Sequence, residues 1–422
     1  MFELTVKQKR ALSAMRTGRS VFITGQAGTG KSAILKEFMK SADKDRVAVT
    51  STTGVSAVAI GGRTLHSWAG VQLAEEDAFY LYKKIRSKRE KRERWLSVRT
   101  LIIDEVSMLS ADLFEKLEKI ARLIRRSDAP FGGIQLVLTG DFCQLPIINA
   151  ERFCFESEKW DACIGTTVYL EEILRQGDPV FCKMLQELRM GICTEETAEI
   201  LESRVGPPPA AINGTEPTRV LSKNDPVNRI NRRRFQALLK GGAIELKYKT
   251  MFDVTKCLVK PKQLAVMKEF LKETYRDVTL AVGAQVMLTW NLNPKVGLAN
   301  GSLGVITEII DGMPKVRFVN GVETVVGRFS VPYEVDNVKM MIDFMPLRLA
   351  WAYTIHKSQG ATLDFVVTDI GEDSIWEYGQ AYVVLSRVRS LDALYLEDFD
   401  RIIFRCHPRV KEFYKKLEQG EN

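Results

Sequence analysis

Eight consecutive residues, 25–32, constrain the fold of this chain more than any other feature. They read Gly-Gln-Ala-Gly-Thr-Gly-Lys-Ser and match the pattern G-x-x-x-x-G-K-[ST] at every defined position. An apolar run at 21–23 precedes them, and apolar side chains at helical spacing follow at 34–38. A strand, a glycine-rich loop and a helix in this order predict an α/β sheet with a phosphate-binding loop at its edge.

The residue types of this loop suit a bound triphosphate. Glycines let backbone N–H groups approach the phosphate oxygens closely. Lys31 supplies a positive charge for the β- and γ-phosphates, and the Ser32 hydroxyl is a ligand for Mg²⁺. A glycine-rich turn with a chance lysine is the alternative, and the strand and helix around the loop argue against it. The predicted nucleotide-binding residues are Gly25, Gln26, Ala27, Gly28, Thr29, Gly30, Lys31 and Ser32.

Composition narrows the class of protein. A length of 422 residues predicts about two to four domains. No apolar run is long enough to span a bilayer and the N-terminus lacks the form of a signal peptide, so we expect a soluble, intracellular protein. Seven cysteines without a C-x-x-C pair and three scattered histidines predict neither a disulfide framework nor a zinc site. A net charge of +8 permits a polyanionic partner.

Paired carboxylates give the second strong signal. The apolar run 101–103 ends in Asp104 and Glu105. Two acids at a strand end are costly as mere packing. Next to a phosphate loop, the first predicts a contact to Mg²⁺ together with Ser32, and the second predicts a base that orients and deprotonates water.

Two glutamines are weaker candidates for contacts to the nucleotide. Gln8 lies on the polar side of a predicted helix, 5–15, and an amide can both donate to and accept from an adenine edge. Most helical glutamines are simply solvated. Gln144 follows the predicted strand 134–138 at a position that faces the γ-phosphate, where it can report whether that phosphate is present.

Three further segments predict contacts to nucleic acid, and two of them have an alternative interpretation. Hydroxyl groups at 50–53 follow a strand and precede a helix, where phosphates bind. The segment 62–68 combines basic, hydroxyl and aromatic groups, although a loop whose Trp68 packs into the core is the favoured interpretation without further context. Nine Lys or Arg residues against two acids at 83–99 could follow a phosphate backbone, or they form a solvated helix.

The second half of the chain predicts another α/β core. A Pro-rich linker at 206–209 is followed by a strand and a basic helix, and β-rich runs with Asp-Gly and Asn-Gly turns occupy 251–345. A strand over 347–353 resumes the α/β alternation. Two α/β cores with one phosphate loop predict that the second also contacts the nucleotide, and Arg387 at a helix end is suited to the γ-phosphate.

The order of these motifs resembles that of superfamily 1B DNA helicases, and most closely the petite-integration-frequency (PIF) helicase family. The most specific matches are 129–135 leading into 140–142, then 354–360 and 382–387. The resemblance implies an α/β fold with two RecA-like parallel-sheet cores and a small β-barrel-like insert in the second. Its implied boundaries are a first core at 1–174 with a small wedge-like insert at about 62–99, a second core at 175–250 and 346–422, and the β-barrel-like insert at 251–345.

The resemblance also implies roles for single residues, with ATP and Mg²⁺ as cofactors. It assigns Gln144, Arg175 and Arg387 to the γ-phosphate. The sequence departs from the family pattern at Cys143, where an aromatic residue is usual, and at Ile147, where a proline is usual. The remaining implied contacts are Gln8 and Gly360 to the nucleotide, and Thr50, Ser51, His66, Ser67, Thr354, His356 and Lys357 to single-stranded DNA.

The activity that the resemblance implies is ATP-driven movement 5′ to 3′ along single-stranded DNA with displacement of the complementary strand. Single-strand/duplex junctions are the implied partners, guanine quadruplexes a further one, and DNA repair, recombination and telomere maintenance the implied processes. We expect a monomer. A nucleotide-regulated binding protein with slow hydrolysis is the alternative class and a nucleotide kinase a remote one. RNA as the track stays open because phosphate contacts do not distinguish RNA from DNA.

Overall fold

The computed structural model describes residues 4–72, 74–147, 151–208, 211, 213–335, 338–371, 374 and 377–419. The chain folds into two compact units. Unit 1 comprises Met1–Ile192 and Phe404–Asn422, and unit 2 comprises Cys193–Ile403. The chain therefore leaves unit 1 once and returns to it for its last segment.

Strands and helices alternate through most of the described chain. The strands are β1 Val21–Gly25, β2 Val47–Ser51, β3 Arg63–Thr64, β4 Thr100–Asp104, β5 Gln135–Gly140, β6 Thr167–Leu170, β7 Thr218–Leu221, β8 Leu246–Tyr248, β9 Met251–Cys257, β10 Val278–Leu280, β11 Gln285–Leu288, β12 Leu303–Ile310, β13 Met313–Phe318, β14 Glu323–Val325, β15 Phe329–Val335, β16 Val338–Phe344, β17 Leu347–Leu349, β18 Ala352–Thr354, β19 Val366–Ile370 and β20 Leu394–Phe399. The helices are α1 Val6–Arg16, α2 Lys31–Ser41, α3 Gly54–Ala59, α4 Leu65–Ala69, α5 Ala78–Arg86, α6 Arg89–Ser97, α7 Ala111–Arg125, α8 Trp160–Cys163, α9 Pro179–Arg189, α10 Glu195–Glu202, α11 Asn224–Lys240, α12 Pro261–Thr274, α13 Ile355–Ser358, α14 Gln380–Leu385 and α15 Pro408–Glu418.

Unit 1 is built on one parallel sheet with the strand order β3-β2-β4-β5-β1-β6. Every residue of β1 and β4 is buried, which is why both strands are apolar along most of their length rather than alternating. Parallel strands all end at the same edge of a sheet. The phosphate loop after β1 and the carboxylates at the end of β4 are thereby brought to one edge, where ligands of open α/β sheets bind.

Helices cover both faces of this sheet. On one face, Leu12 of α1 and Phe38 of α2 pack against Ile23 and other buried residues of the sheet. On the other face lies α7, which begins after Ser110, whose hydroxyl accepts from the Leu113 N–H at 3.1 Å. A serine in this position satisfies one of the unpaired N–H groups at the start of a helix. Leu113, Leu117 and Ile120 of α7 are buried in the core on this face.

The segment predicted as a wedge-like insert, 62–99, forms α4, α5 and α6 and packs into the core of unit 1. The rings of Trp68 and Trp95 lie 4.7 Å apart, and both are buried. The Trp95 indole N–H donates to the carbonyl of Ala69 at 3.1 Å. Of the two interpretations of Trp68, core packing is therefore the one that the structure shows.

Unit 2 combines a parallel sheet, β18-β7-β19-β20, with antiparallel sheets. The β-rich region predicted at 251–345 contributes to a five-stranded sheet, β14-β13-β12-β11-β17, and a three-stranded sheet, β15-β16-β9. The predicted hairpin turns are confirmed: Asp311 and Gly312 join β12 to β13 with positive φ angles, and 319–322 joins β13 to β14. The α/β class, with a parallel sheet in each unit, is confirmed.

The predicted single strand over 347–353 is wrong, because its two ends pair in different sheets. Its first part, β17, pairs antiparallel with β11, whereas β18 pairs parallel with β7. Ala350 lies at the change of partner: its N–H donates to the Gln285 carbonyl, and its carbonyl accepts from the Thr218 hydroxyl. The segment is apolar apart from Arg348, and such a pattern gives no sign of a change of sheet.

The units differ from the implied core boundaries at two segments. Residues 175–192 and 404–422, which the resemblance placed in the second core, belong to unit 1. The reason lies in what they bury: Arg189 of α9 pairs with Asp141, and Val410 and Tyr414 of α15 join the apolar cluster that contains Phe142. Across the described part of the chain, every helix is too short or too polar to cross a membrane.

Candidate active site

The phosphate loop joins β1 to α2, and residues 170 and 175 pack closely against its glycines. Gly30 precedes α2 with φ of 83°, a left-handed value that favours glycine. A Cβ on Gly25 would lie 2.3 Å from the Leu170 carbonyl oxygen, and one on Gly28 would lie 2.7 Å from Cβ of Arg175. Glycine is therefore required at these positions by space as well as by backbone angle.

Lys31 folds back over the loop. Its Nζ donates to the carbonyl oxygens of Gly25 at 2.6 Å and of Gln26 at 2.9 Å. Burial lowers the pKa of Lys31, while the charges of Asp141 and Glu105 oppose that shift. The ammonium group therefore donates to backbone carbonyls of the loop itself. Bound phosphate oxygens would replace these carbonyls as acceptors, so the side chain already lies at the phosphate-binding position.

Gln8 lies against the same loop. Its Nε2 donates to the Thr29 carbonyl at 3.0 Å, and its Oε1 accepts from the Thr5 N–H at 3.0 Å, which completes a capping box at the start of α1. The side chain is buried. The predicted adenine residue is thus placed next to the phosphate loop, and both of its amide groups have partners within unit 1.

The two carboxylates follow β4. Asp104 is buried and accepts a hydrogen bond from the Thr139 hydroxyl on β5. Burial raises the pKa of Asp104, and the Thr139 hydroxyl and the charge of Lys31 only partly counter this. Glu105 has φ of 55°, a left-handed conformation that is uncommon for a residue with a side chain. Such backbone strain clusters at functional sites.

The donor set fits Mg²⁺. The Ser32 hydroxyl at the start of α2 and the Asp104 carboxylate are hard oxygen ligands, and Mg²⁺ takes one or two carboxylates together with waters and substrate phosphates. A bound cation would offset the burial that raises the pKa of Asp104. Within the residues that the structure describes, no three His, Cys, Asp or Glu side chains gather as a cation cage, so the phosphates would have to complete the coordination.

Gln144 and Arg175, both predicted to contact the γ-phosphate, belong to segments beside the loop. Gln144 is buried, and its N–H donates to the Asp141 carbonyl at 3.0 Å in the turn after β5. Arg175 follows Leu174, whose N–H donates to the Gly28 carbonyl at 2.9 Å. The structure therefore brings both to the same edge as Lys31 and Asp104. Their contact with a phosphate stays a prediction.

The predicted DNA-binding residues of unit 1 differ in exposure. Thr50 and Ser51 are fully buried at the end of β2, where their hydroxyls donate to the carbonyls of Ile102 and Asp104 on β4. Both hydroxyls therefore hold the sheet together. His66 and Ser67 on α4 are half-buried, and burial lowers the pKa of His66, which favours the neutral ring.

The motif 354–360 of unit 2 forms β18, the short helix α13 and the turn after it. The Thr354 hydroxyl caps α13 by accepting from the Lys357 N–H. Lys357 Nζ donates to Asn224 Oδ1 at 3.2 Å, and His356 Nε2 lies 3.4 Å from a Glu377 carboxylate oxygen. Burial and two nearby arginines lower the pKa of Lys357. Gly360 has φ of 78°, which suits glycine in this turn.

Arg387, predicted for the γ-phosphate, is buried within unit 2. Its Nε donates to the Val383 carbonyl at 2.8 Å, and Nη2 donates to the Ser386 hydroxyl at 2.6 Å. Nη1 lies 3.5 Å from the Ser358 carbonyl in the motif 354–360. Each of the three guanidinium nitrogens thus has a partner within unit 2.

Comparisons with known proteins agree with this site. The family description "PIF1-like helicase" matches residues 3–199, and "DNA helicase Pif1, 2B domain" matches 275–309. Human ATP-dependent DNA helicase PIF1 is 38% identical over 428 residues, which cover 100% of this chain and 65% of the human protein. The crystal structure of Pif1 helicase from Candida albicans is 36% identical with a TM-score of 0.79, covering 99% of this chain and 100% of that one.

The chain belongs to the PIF1-like helicase family. It spans about two thirds of the length of the human relative. A crystal structure of Pif1 helicase from Bacteroides in complex with ADP-AlF3 and single-stranded DNA is 26% identical with a TM-score of 0.68, covering 99% of this chain and 98% of that one.

The two departures from the family pattern lie beside the nucleotide edge. Cys143 is buried, and its Sγ lies 3.7 Å from Sγ of Cys406, which precedes α15. Burial raises the pKa of Cys143 well above its usual value. Ile147 is half-buried. The smaller Cys143 side chain thus packs against the segment through which the chain returns to unit 1.

Sequence reasoning missed a buried group in unit 1, here called the Asp141 cluster: Asp141, Arg189, Tyr414 and Thr24. Arg189 and Tyr414 lie 48 and 273 residues from Asp141 in the chain. Asp141 lies inside the segment 140–142, which resembles the family motif, and that resemblance was the only indication of its importance. Nothing in the sequence indicates its two distant partners.

Proposed function

We propose that this member of the PIF1-like helicase family is an ATP-dependent DNA helicase that moves 5′ to 3′ on single-stranded DNA. The observation that carries the proposal is the common sheet edge of unit 1, where Lys31, Asp104 and Glu105 follow β1 and β4. The named relatives support it, since the human protein and the Candida protein are both described as helicases.

Each residue at this edge has a role in hydrolysis. The loop and Lys31 bind the phosphates, and Ser32 and Asp104 would hold Mg²⁺, which would supply positive charge beside the phosphates. Glu105 orients the attacking water and accepts its proton. Gln144 and Arg175 stabilise the charge that develops on the γ-phosphate, and Arg387 joins them once it is released from its partners in unit 2.

We propose His66, Ser67, Thr354, His356 and Lys357 as contacts to single-stranded DNA. A tracking site of this kind combines positive charge with stacking groups and is sequence-tolerant. Opening each base-pair step costs about 1.4 kcal/mol of stacking on average, so every advance along the strand must be tied to nucleotide turnover. The complex of the Bacteroides relative with single-stranded DNA supports this partner.

The proposal also covers the DNA substrates and the oligomeric state. We propose junctions between single strand and duplex as the loading point, guanine quadruplexes as a further substrate, and a monomer as the working form. An enzyme that uses ATP on DNA acts inside the cell, and we propose that location without choosing among compartments.

The test is strand displacement with 5′-tailed, 3′-tailed and RNA-tailed duplexes, using the wild type and Lys31→Ala. The proposal expects displacement of the 5′-tailed substrate by the wild type only. Displacement of the 3′-tailed substrate alone contradicts the polarity, and preference for the RNA tail contradicts the DNA track. Equal displacement by Lys31→Ala contradicts the role given to the phosphate loop.

One observation favours a second function, a nucleotide-regulated binding protein with slow hydrolysis. Arg387 is held by the Val383 carbonyl and the Ser386 hydroxyl rather than exposed for catalysis. If these bonds persist with ATP and DNA bound, the Arg387 guanidinium does not stabilise the charge that develops on the γ-phosphate, and hydrolysis is slow. An ATPase rate that single-stranded DNA does not raise would support this second function.

A further inference from the structure

The Asp141 cluster is closed off from solvent and pairs its charges internally. Asp141, Arg189, Tyr414 and Thr24 are each at most 3% exposed. Arg189 donates to both carboxylate oxygens of Asp141 at distances of 2.8 to 3.2 Å. Its guanidinium also lies 4.3 Å from the centre of the Tyr414 ring, a cation–π distance. The cluster is therefore a fixed element of unit 1.

The Tyr414 hydroxyl uses its full hydrogen-bonding capacity. It donates to Asp141 Oδ1 at 3.1 Å and accepts from the Phe142 N–H at 3.0 Å. The Thr24 hydroxyl lies 2.7 Å away and supplies the remaining bond. Burial, followed by the charge of Asp141, raises the pKa of Tyr414 well above its usual value, so the donor proton is retained.

These bonds join two parts of the nucleotide edge. Thr24 immediately precedes Gly25, the first residue of the phosphate loop. Phe142 lies two residues before Gln144, the side chain assigned to the γ-phosphate. One hydroxyl therefore links the carboxyl end of β1 to the segment after β5. A shift of this link would move Gln144 relative to Lys31.

Two residues of the Asp141 cluster lie near the two points at which the chain passes between the units. Arg189 lies three residues before Ile192, where unit 1 ends for the first time. Tyr414 lies on α15, after the chain has returned to unit 1 at Phe404. The link between β1 and the segment after β5 is thus supplied by the last helix of the chain, which lies outside the residues matched by the helicase descriptions.

We propose that Tyr414 is a positioning residue for ATP hydrolysis, which holds the Gln144 segment in register with the phosphate loop. The inference rests on the proposed function, because it concerns the same site. Tyr414 acts through Gln144 and through Thr24, without touching the nucleotide. Its loss should weaken binding of the transition state more than binding of ADP, because ADP lacks the phosphate that Gln144 faces.

The test is Tyr414→Phe, which keeps the ring that packs on Arg189 and removes only the hydroxyl. With saturating single-stranded DNA, kcat for ATP should fall between about 10- and 100-fold, the range that a small displacement of reacting groups produces. The affinity for ADP should change less than about twofold. The factor by which aluminium fluoride increases the affinity for ADP should fall as much as kcat does, because ADP with aluminium fluoride mimics the transition state. Retained binding of ADP also shows that unit 1 is folded.

A control is Tyr248→Phe in unit 2, which removes from a buried tyrosine a hydroxyl that donates to the Gly312 carbonyl at 2.8 Å. It should leave kcat unchanged. Thr24→Val removes the hydrogen bond between the Thr24 and Tyr414 hydroxyls from the Thr24 side. The double variant Thr24→Val/Tyr414→Phe should have a kcat little lower than that of Tyr414→Phe, because both changes break the same connection. Should Tyr414→Phe not fold, Thr24→Val alone tests the inference by the same measurements.

The outcomes separate the inference from the proposed function. An active wild type whose Tyr414→Phe variant has a lower melting temperature but unchanged kcat and unchanged affinity for ADP with aluminium fluoride overturns the inference alone. A wild-type protein that does not hydrolyse ATP with DNA present overturns the proposed function, and the inference with it.

Discussion

Replacing Asp141 by asparagine removes one charge from a buried ion pair and keeps the shape of the side chain. Asp141 is 0% exposed and Arg189 is 3% exposed, so the guanidinium would remain buried without its counter-charge. Breaking a buried pair from one side costs about 3–5 kcal/mol. For a domain of this size, about 2–4 °C of melting temperature is lost per kcal/mol, so the transition of unit 1 should fall by about 6–20 °C.

The assay is thermal unfolding followed by circular dichroism at pH 7, with two controls. Glu195→Gln breaks the exposed pair of Glu195 with Arg401 in unit 2 and should leave the melting temperature unchanged. Adding Arg189→Met to Asp141→Asn should recover part of the loss, because no unpaired charge then remains. A melting temperature of Asp141→Asn within about 2 °C of the wild type would refute the argument, since it corresponds to about 1 kcal/mol or less.

The pH dependence of this difference has a defined sign. Burial alone would raise the pKa of Asp141, but the charge and hydrogen bonds of Arg189, the charge of Lys31 and the Cys143 N–H together outweigh it, and the pKa lies below its usual value. A carboxyl with a depressed pKa stabilises the fold at all pH values above its unfolded pKa of about 3.9, and the stabilisation is lost as the pH falls through the lower folded value. The difference between wild type and Asp141→Asn should therefore be equal at pH 7 and pH 5.5 and should shrink only below about pH 4.

Further predictions concern the site and the thiols. Glu105→Gln should lower kcat for ATP about 10²- to 10⁴-fold with little change in ATP affinity, because it removes a proton acceptor; equal kcat in the two proteins would contradict this role. Gly25→Ala should abolish binding of a fluorescent ATP analogue, since its Cβ would lie 2.3 Å from the Leu170 carbonyl oxygen; wild-type affinity would show that the loop adjusts. Exposed Cys257 should react first with a thiol reagent and buried Cys154 only on unfolding, as kinetics of wild type and Cys257→Ser would show; a fast phase that survives in Cys257→Ser would contradict this order.

The parts of the fold that local pattern determines were predictable. Strand, loop and helix around 21–41 follow from an apolar run, a glycine-rich pattern and helical spacing, and the Asp-Gly hairpin follows from turn chemistry. The placement of Lys31 and Asp104 at one sheet edge follows from the parallel connection of their strands. Local sequence was sufficient for the loop and the hairpin because each of these two features is set by neighbouring residues.

The features that depend on distant residues were not predictable. The split of 347–353 is decided by β7 and β11, which lie far away in the sequence. Thr50 and Ser51 were predicted to contact DNA, and the sequence gives no sign that pairing with β4 buries their hydroxyls. The position of α15 depends on Tyr414 reaching Asp141, a pairing over 273 residues that no periodicity encodes. Tertiary contacts, rather than local propensity, decide these points.

In the proposed function, a triphosphate held by Lys31 drives movement along a DNA strand. The most direct measurement is the steady-state rate of ATP hydrolysis with and without single-stranded DNA, for the wild type and Lys31→Ala. The rate of the wild type should rise steeply with single-stranded DNA, and that of Lys31→Ala should not rise. A wild-type rate that DNA leaves unchanged, or a Lys31→Ala variant that DNA still stimulates, would contradict it.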